Sequence, residues 1–278
     1  MKRKPVAVLA VIVLLGALGF VVSQSFSGNI KLPYLGPECT VRADGQVTLD
    51  AVQMANAATI SAIGVRRKMP ERAVVVALAT ALQESKLENL DNGDRDSVGL
   101  FQQRPSQGWG TPEEIQDPRY AARKFYAGLK KVRGWEEMRV TDAAQKVQRS
   151  AFPEAYEKWA DEAEVLARAL TGRATGAVEC SVPSEPALRG VAAAAELTEA
   201  LRLDWGVKAV TEAEIRVTVD DPAKGWRYAH WLVSHARTTG LERVRFADLE
   251  WNAPDGKWQP VTGDRRVGPG TVVAEVFP

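Results

Sequence analysis

The longest uninterrupted apolar stretch of the chain lies near its N-terminus, where about 18 residues from Pro5 to Val22 carry no charge. As a helix this stretch measures roughly 27 Å, close to the thickness of a bilayer core. Lys2-Arg3-Lys4 precedes it, and such cations favour the cytoplasmic side. The pattern predicts a single membrane anchor in residues 1–23, which leaves the rest extracytoplasmic. Cleavage near Ser23, giving a secreted protein, is the alternative.

Helical periodicity dominates residues 47–172, after a Gly-, Pro- and Ser-rich segment at 24–46 that is typical of a linker. Thr48 suits the N-cap of the first helix. The run Ala73–Leu82 is apolar on nearly every side, which predicts a buried central helix. Turn-forming residues at 91–111 predict a long structured loop. The predicted helices cover residues 49–63, 70–82, 118–132, 141–148 and 153–170.

A second linker is predicted at residues 173–186, where Gly, Thr, Ser and Pro accumulate. Beyond it, residues 187–278 mix helical and alternating patterns, which indicates a small α+β domain. Asp255-Gly256 is typical of a hairpin turn. The predicted helices lie at 186–202 and 226–237, and the predicted strands at 215–219, 244–251, 258–261 and 272–277.

Charge and cysteine content narrow the classes of function. The formal net charge is only +1, which argues against a nucleic-acid partner. Cys39 and Cys180 are the two cysteines, and outside the cytoplasm they favour a disulfide over a metal site; two free buried thiols are the alternative. His230 and His235 are five residues apart, which is poor spacing for a zinc pair on a helix. We therefore predict no metal and no cofactor.

Glu84 is the candidate for chemistry. It follows the apolar run of the predicted central helix, where partial burial would raise the pKa of its carboxyl group and keep it protonated near neutral pH. A protonated carboxyl group is what the departing oxygen of a glycosidic bond requires. A solvated glutamate in the last turn of a helix is the common alternative.

Two short motifs carry a family resemblance. Glu84-Ser85, followed by Gly99-Leu100-Phe101-Gln102 and Pro105, resembles the Glu-Ser and Gly-Leu-Met-Gln-x-x-Pro motifs of soluble lytic transglycosylases and goose-type lysozymes, with Phe101 in place of Met. The resemblance runs from about residue 48 to 170 and implies a mainly α lysozyme-like domain, followed by the small α+β domain and preceded by the transmembrane helix. Residues 225–233, with Trp251 and Trp258, resemble an accessory domain of secreted wall hydrolases.

The resemblance also implies residue roles. Glu84 matches the single general acid/base, Gln102 the glutamine that lines the sugar cleft, and Ser85 the residue that supports the glutamate by a hydrogen bond. Aromatic side chains would stack on sugar rings or belong to the core. The implied substrate contacts are Ser85, Gln102, Gln103, Trp109 and Tyr156. Gln148-Arg149-Ser150 stands near the family's Tyr-Asn pair and departs from it, which leaves the product type open.

A two-carboxylate mechanism would need Asp91, Asp94 or Asp96 as partner, with Asp94 and Asp96 as the leading candidates. All three residues are also good turn formers. In the lytic enzymes the N-acetyl group of the substrate is thought to assist, so that one glutamate suffices and a 1,6-anhydro product forms. The sequence is compatible with this route and with attack by water.

The leading hypothesis is therefore an enzyme at the cell surface that cleaves the glycan strand of peptidoglycan, either as a lytic transglycosylase or as a muramidase. The rival is a lysozyme-like domain that binds peptidoglycan without cutting it, as an envelope scaffold. A third is an accessory subunit of a secretion or conjugation apparatus. The expected partners are peptidoglycan, the membrane and other envelope proteins.

Overall fold

Two antiparallel sheets and nine α-helices make up the described part of this computed structural model, so the protein is a mixed α+β protein. The structure describes residues 38–182, 185–207, 209–211, 214–261 and 263–278. The proposed anchor lies outside these ranges. Among the described helices none is long and apolar enough to cross a membrane.

The first sheet has three strands in the order β2-β1-β3. They are β1 (Glu38–Arg42), β2 (Gln46–Asp50) and β3 (Val178–Cys180). Cys39 lies opposite Cys180 in the register of β1 and β3, and the two form a disulfide with a Cα–Cα distance of 4.0 Å. The predicted disulfide is therefore confirmed. β1 falls within the segment that composition suggested as the first linker, and β3 within the second.

Helix α1 (Ala51–Arg66) begins directly after β2. Its N-cap is Asp50, whose carboxylate accepts from the backbone N–H groups of Val52 and Gln53, while the Gln53 side chain accepts from Asp50 N–H. The prediction of Thr48 as N-cap was wrong, because Thr48 pairs with Thr40 inside the β1–β2 hairpin. A local cap motif cannot reveal that the preceding residues belong to a strand.

Helix α2 (Glu71–Ser85) is the buried central helix that its apolar run predicts. All residues from Ala73 to Leu82 are buried, and the helix packs against α1 and three later helices. These three later helices are α4 (Pro118–Leu129), α5 (Val140–Gln148) and α6 (Ala160–Leu170). The short helix α3 (Pro112–Gln116) precedes α4.

The helix predicted from residue 153 begins later. A 3₁₀ turn at Glu157–Trp159 leads into α6, which starts only at Ala160. The side chain of Tyr156, just before this turn, is completely buried. The turn therefore redirects the chain so that Tyr156 enters the interior.

The second sheet has six antiparallel strands in the order β4-β5-β9-β6-β7-β8. The strand predicted at 244–251 is two strands joined at Ala247, which has a φ of 55°. Apolar residues alternate with charged ones on both sides of Ala247, so the sequence pattern does not reveal the tight turn between the two strands. The bounds are β4 (Val210–Thr211), β5 (Ile215–Thr218), β6 (Leu241–Phe246), β7 (Leu249–Asn252), β8 (Trp258–Pro260) and β9 (Thr271–Val276), with helices α7 (Gly190–Trp205), α8 (Pro222–Ser234) and α9 (Ala236–Thr239).

One hydrophobic cluster runs through both halves of the described chain, from Val41 to Phe277. His230 on α8 joins the halves with both ring nitrogens: Nε2 accepts from the backbone N–H of Ala177 at 2.9 Å, and Nδ1 lies 2.8 Å from the Ala169 carbonyl oxygen. Burial lowers the pKa of His230 to about 4. The neutral ring is thus a packing element between the helical region and the second sheet.

Candidate active site

Glu84 is the penultimate residue of α2, at the point where the buried helix ends. The first two residues after the helix, Lys86 and Leu87, both adopt a positive φ, of 58° and 63°. Side chains of α1 hold this end in place: Gln53 Nε2 donates to the Lys86 carbonyl at 2.9 Å, and Asn56 Nδ2 donates to the Leu87 carbonyl at 2.7 Å. The exit from α2 is therefore fixed by a neighbouring helix.

Two side chains from later parts of the chain converge on the half-buried carboxyl group of Glu84. Tyr156 donates its phenolic O–H to Glu84 Oε1 at 2.6 Å. Gln148, the last residue of α5, donates from Nε2 to the same oxygen at 3.3 Å and to the Phe101 carbonyl at 2.7 Å. Three separate segments thus meet at one oxygen atom.

The surroundings of Glu84 shift its protonation equilibrium toward the neutral acid. Burial raises the pKa of Glu84 and is the larger effect, while the hydrogen bonds from Tyr156 and Gln148 oppose it. Burial and the proximity of Glu84 also raise the pKa of Tyr156, so the phenol remains a donor. Since both donors reach Oε1, the acidic proton of neutral Glu84 belongs on Oε2.

The loop after α2 is attached to the helix end by Ser85. Its hydroxyl lies 2.8 Å from the Leu100 carbonyl oxygen and 3.1 Å from the Ala81 carbonyl oxygen. Gly99 has a φ of 78°, and a Cβ there would meet the Ile115 carbonyl oxygen at 2.9 Å, so glycine is required by both conformation and space. Ser85 and Gly99 therefore position the segment whose Phe101 carbonyl holds Gln148.

Three of the residues expected to contact substrate have other roles. Ser85 is buried and bonds to backbone carbonyls rather than to Glu84. Gln103 is buried too, and its Nε2 donates to the Ala121 carbonyl at 3.2 Å. Tyr156 has no exposed surface, so it cannot offer a face to a sugar ring, and it holds Glu84 instead. Residue type alone did not distinguish a stacking aromatic from a buried donor.

Gln102 and Trp109 are both partly buried. Gln102 has a φ of 45°, its Nε2 donates to the Gly99 carbonyl at 3.2 Å, and its side chain lies against Gly93. Trp109 packs on the core, and its backbone carbonyl accepts from the Tyr120 hydroxyl at 3.2 Å. No contact joins either side chain to Glu84 among the described residues, so their substrate contacts stay predictions.

The two candidate second carboxylates differ in their surroundings. Asp94 is exposed in the turn, where its side chain is 89% accessible. Asp96 accepts from Arg104 Nε and from the Ser106 backbone N–H, both at 2.8 Å, and these bonds lower the pKa of its carboxyl group. Asp96 therefore closes the loop, and the same two hydrogen bonds favour its ionised form.

Gln148 is the site residue that the sequence did not assign. It stands where the family resemblance breaks down, next to Arg149 and Ser150. It is the last residue of the short helix α5, and that local position does not indicate which distant group its side chain reaches. Its partner, Glu84, is 64 residues away in the sequence.

A cleft of about 660 Å³ lies elsewhere, between the β1–β2 turn, the start of α2 and α6. Most of the charged residues that line the cleft are acidic. Glu84 is not among the lining residues. Three of its lining residues are already ion-paired: Arg168 contacts Asp44, and Glu71 contacts Arg173, which lies outside the lining. This cleft is therefore separate from the Glu84 site.

Comparison with protein-family models gives no match for this chain, and comparison with curated proteins gives no significant match. What the structure defines is a mixed α+β protein, with a half-buried glutamic acid at the end of its central helix.

Proposed function

We propose that this protein cleaves the glycan strand of peptidoglycan at the β-1,4 bond between N-acetylmuramic acid and N-acetylglucosamine, as a lytic transglycosylase or a muramidase at the cell surface. The proposal depends on the environment of Glu84. Burial raises the pKa of its carboxyl group, and Tyr156 and Gln148 both donate a hydrogen bond to one of its oxygens. This is the environment that a general acid needs near neutral pH.

In the proposed reaction Glu84 Oε2 gives its proton to the departing glycosidic oxygen. The carboxylate that forms keeps its two donors on Oε1, so its new charge meets hydrogen bonds that are already in place. The same carboxylate then takes a proton from the incoming nucleophile, either a water molecule or a hydroxyl group of the substrate. One glutamate performs both transfers.

The surroundings of Asp96 support a route with a single carboxylic acid. One of its oxygens accepts from Arg104 and the other from the backbone of Ser106. A nucleophilic carboxylate needs a free oxygen of high electron density. With both oxygens engaged in closing its own loop, Asp96 is poorly suited to attack the sugar, which favours assistance by the substrate or by water.

Glu84→Gln in the full-length, detergent-solubilised chain tests the proposal. Gln keeps the acceptor for Tyr156 but has no proton to give, so release of soluble muropeptides from purified peptidoglycan should fall by about 10²–10⁴-fold. Mass spectrometry of the wild-type products separates 1,6-anhydro ends from reducing ends. The matched control is Glu88→Gln, an exposed residue just beyond the same helix end, which should release products at the wild-type rate.

Equal release by Glu84→Gln and the wild type would overturn the proposal. Peptidoglycan pull-down by the wild type without any product would replace it by the binding scaffold, whose association with envelope partners would then be the function to pursue.

A further inference from the structure

Two lysines share one tryptophan beside Glu84. Lys86 Nζ lies 4.1 Å from the centroid of the Trp159 ring, and Lys158 Nζ lies 5.3 Å from the same centroid. Both lysines are exposed, and Trp159 is half-buried. The ring thus gathers two positive charges at the surface of the molecule.

These charges have no carboxylate within ion-pairing distance in the part of the chain that the structure describes. The acidic groups of the same segment are engaged elsewhere: Glu154 pairs with Arg139, and Glu157 accepts from the Thr141 backbone N–H at 3.0 Å. Besides its contact with the Trp159 ring, the ammonium group of Lys86 donates to the Leu82 carbonyl oxygen at 3.2 Å. The pair therefore has unused capacity for an anion.

The lysine pair and Glu84 stand on the same two elements. Gln83 Oε1 accepts from Trp159 Nε1 at 2.9 Å, and the next residue, Glu84, accepts from Tyr156. The last turn of α2 and the 3₁₀ turn at Glu157–Trp159 are joined by both bonds. The residues that carry the two ammonium groups are therefore held by the same contacts that hold the end of α2 at Glu84.

The backbone at Lys86 adds a second, independent observation. Its φ of 58° and ψ of 33° are the left-handed values at which helix C-termini favour glycine or asparagine. A lysine is less favourable at this position on backbone grounds. Its long side chain nevertheless extends over Trp159, where it meets a second cation. Lys86 thus occupies an unfavourable backbone conformation while its ammonium group lies over the Trp159 ring.

We propose that Lys86 and Lys158, supported by Trp159, bind a free carboxylate of the peptide stem that peptidoglycan carries next to the scissile bond. This inference rests on the proposed function. The stem hangs from the muramic acid residue whose bond is cleaved, and its amino-acid carboxylates match two adjacent ammonium groups. The pair would therefore make the enzyme prefer peptide-bearing glycan to bare glycan.

The test compares wild type with Lys86→Asn, Lys158→Gln and the double variant, in the full-length chain. Asn suits the left-handed backbone at position 86, and it removes the ammonium group together with its contacts to Trp159 and the Leu82 carbonyl. The substrates are intact peptidoglycan, glycan freed of stems by an amidase, and wall material before and after removal of phosphate polymers. For peptide-bearing glycan, the double variant should show a KM raised on the order of fivefold with little change in kcat, and bare glycan should show no change. The control Lys131→Gln removes another exposed lysine after α4.

The outcomes are distinguishable. If the wild type cleaves none of the substrates, the proposed function fails. If the wild type cleaves and the double variant matches it on intact and bare glycan alike, the lysine pair has no role in stem binding and this inference fails alone. A loss that follows the phosphate polymers rather than the stems would also overturn it. Thermal unfolding of each variant checks that Trp159 is still packed.

Discussion

At Glu84 two opposing effects act on a single carboxyl group. Removal from water favours the neutral acid, whereas each donated hydrogen bond favours the carboxylate. The first effect is larger, so the pKa rises, but the donors keep it from rising further. Tyr156 therefore tunes the acid as well as orienting it.

Tyr156→Phe should accordingly raise the pKa of Glu84 further, because it removes a donor that stabilises the charged form. We expect the alkaline limb of the pH–activity profile to move to higher pH. The maximal rate should fall about tenfold to a hundredfold, since the carboxylate formed in the reaction loses a hydrogen bond. The measurement is the rate of muropeptide release across pH.

Tyr126→Phe is the matched control for Tyr156→Phe. Tyr126 is also fully buried, and its hydroxyl donates to the Ile60 carbonyl at 3.0 Å, remote from Glu84 in the contacts described. Both variants should lose about 1 kcal/mol of unfolding free energy. An unmoved alkaline limb in Tyr156→Phe would show that this phenol does not tune the acid.

At the scale of elements, the last turn of α2 is defined by its neighbours. Gln53 and Asn56 of α1 satisfy the carbonyls beyond the helix, and Ser85 attaches the following loop. The disulfide does similar work for the sheet, because it joins β1 to β3 across 141 residues that include the whole helical region. The site therefore lies inside a covalently closed segment.

Replacing Cys39 and Cys180 together by serine should lower the unfolding free energy by about 4 kcal/mol, because the unfolded chain regains the freedom of a long loop. Denaturant unfolding measures this difference. The wild type in reducing agent should approach the double variant once its disulfide is broken. Coincident midpoints for the oxidised wild type and the double variant would contradict the stabilising role.

At the scale of the whole molecule, Asp204 connects α7 to the helical region. It is fully buried, and its carboxylate accepts from Arg119 Nε, from Thr59 Oγ1 at 2.8 Å and from Trp231 Nε1 at 2.8 Å. These donors come from α4, α1 and α8. A single carboxylate thus ties helices from both halves of the described chain.

Asp204→Ala should destabilise the protein by about 3 kcal/mol, since Arg119 is left without its buried partner and two further donors are orphaned. The comparison is Asp117→Asn, which removes a surface carboxylate near Arg119 but keeps the N-cap of α4. That variant should stay within about 1 kcal/mol of the wild type. Similar losses in both variants by thermal unfolding would show that Asp204 has no special place.

Local sequence patterns predict some features of this protein and miss others. The apolar run of α2 located the central helix and its terminal glutamate, because helical periodicity is a local property. The prediction of Thr48 as an N-cap was wrong because Thr48 pairs with β1 in a hairpin. For Tyr156 the sequence left a stacking face and a core aromatic open, and its complete burial before the 3₁₀ turn corresponds to the core alternative.

The amino-acid sequence by itself determined the mixed helical and strand composition, the buried helix that ends close to Glu84 and the two cysteines that pair. These follow from local patterns and from residue type. Only the tertiary structure decided that Tyr156 and Gln148 donate to Glu84 and that Asp204 joins the two halves. The reason is physical: such contacts join residues 64 to 85 positions apart, and their energy depends on burial, which no local pattern specifies.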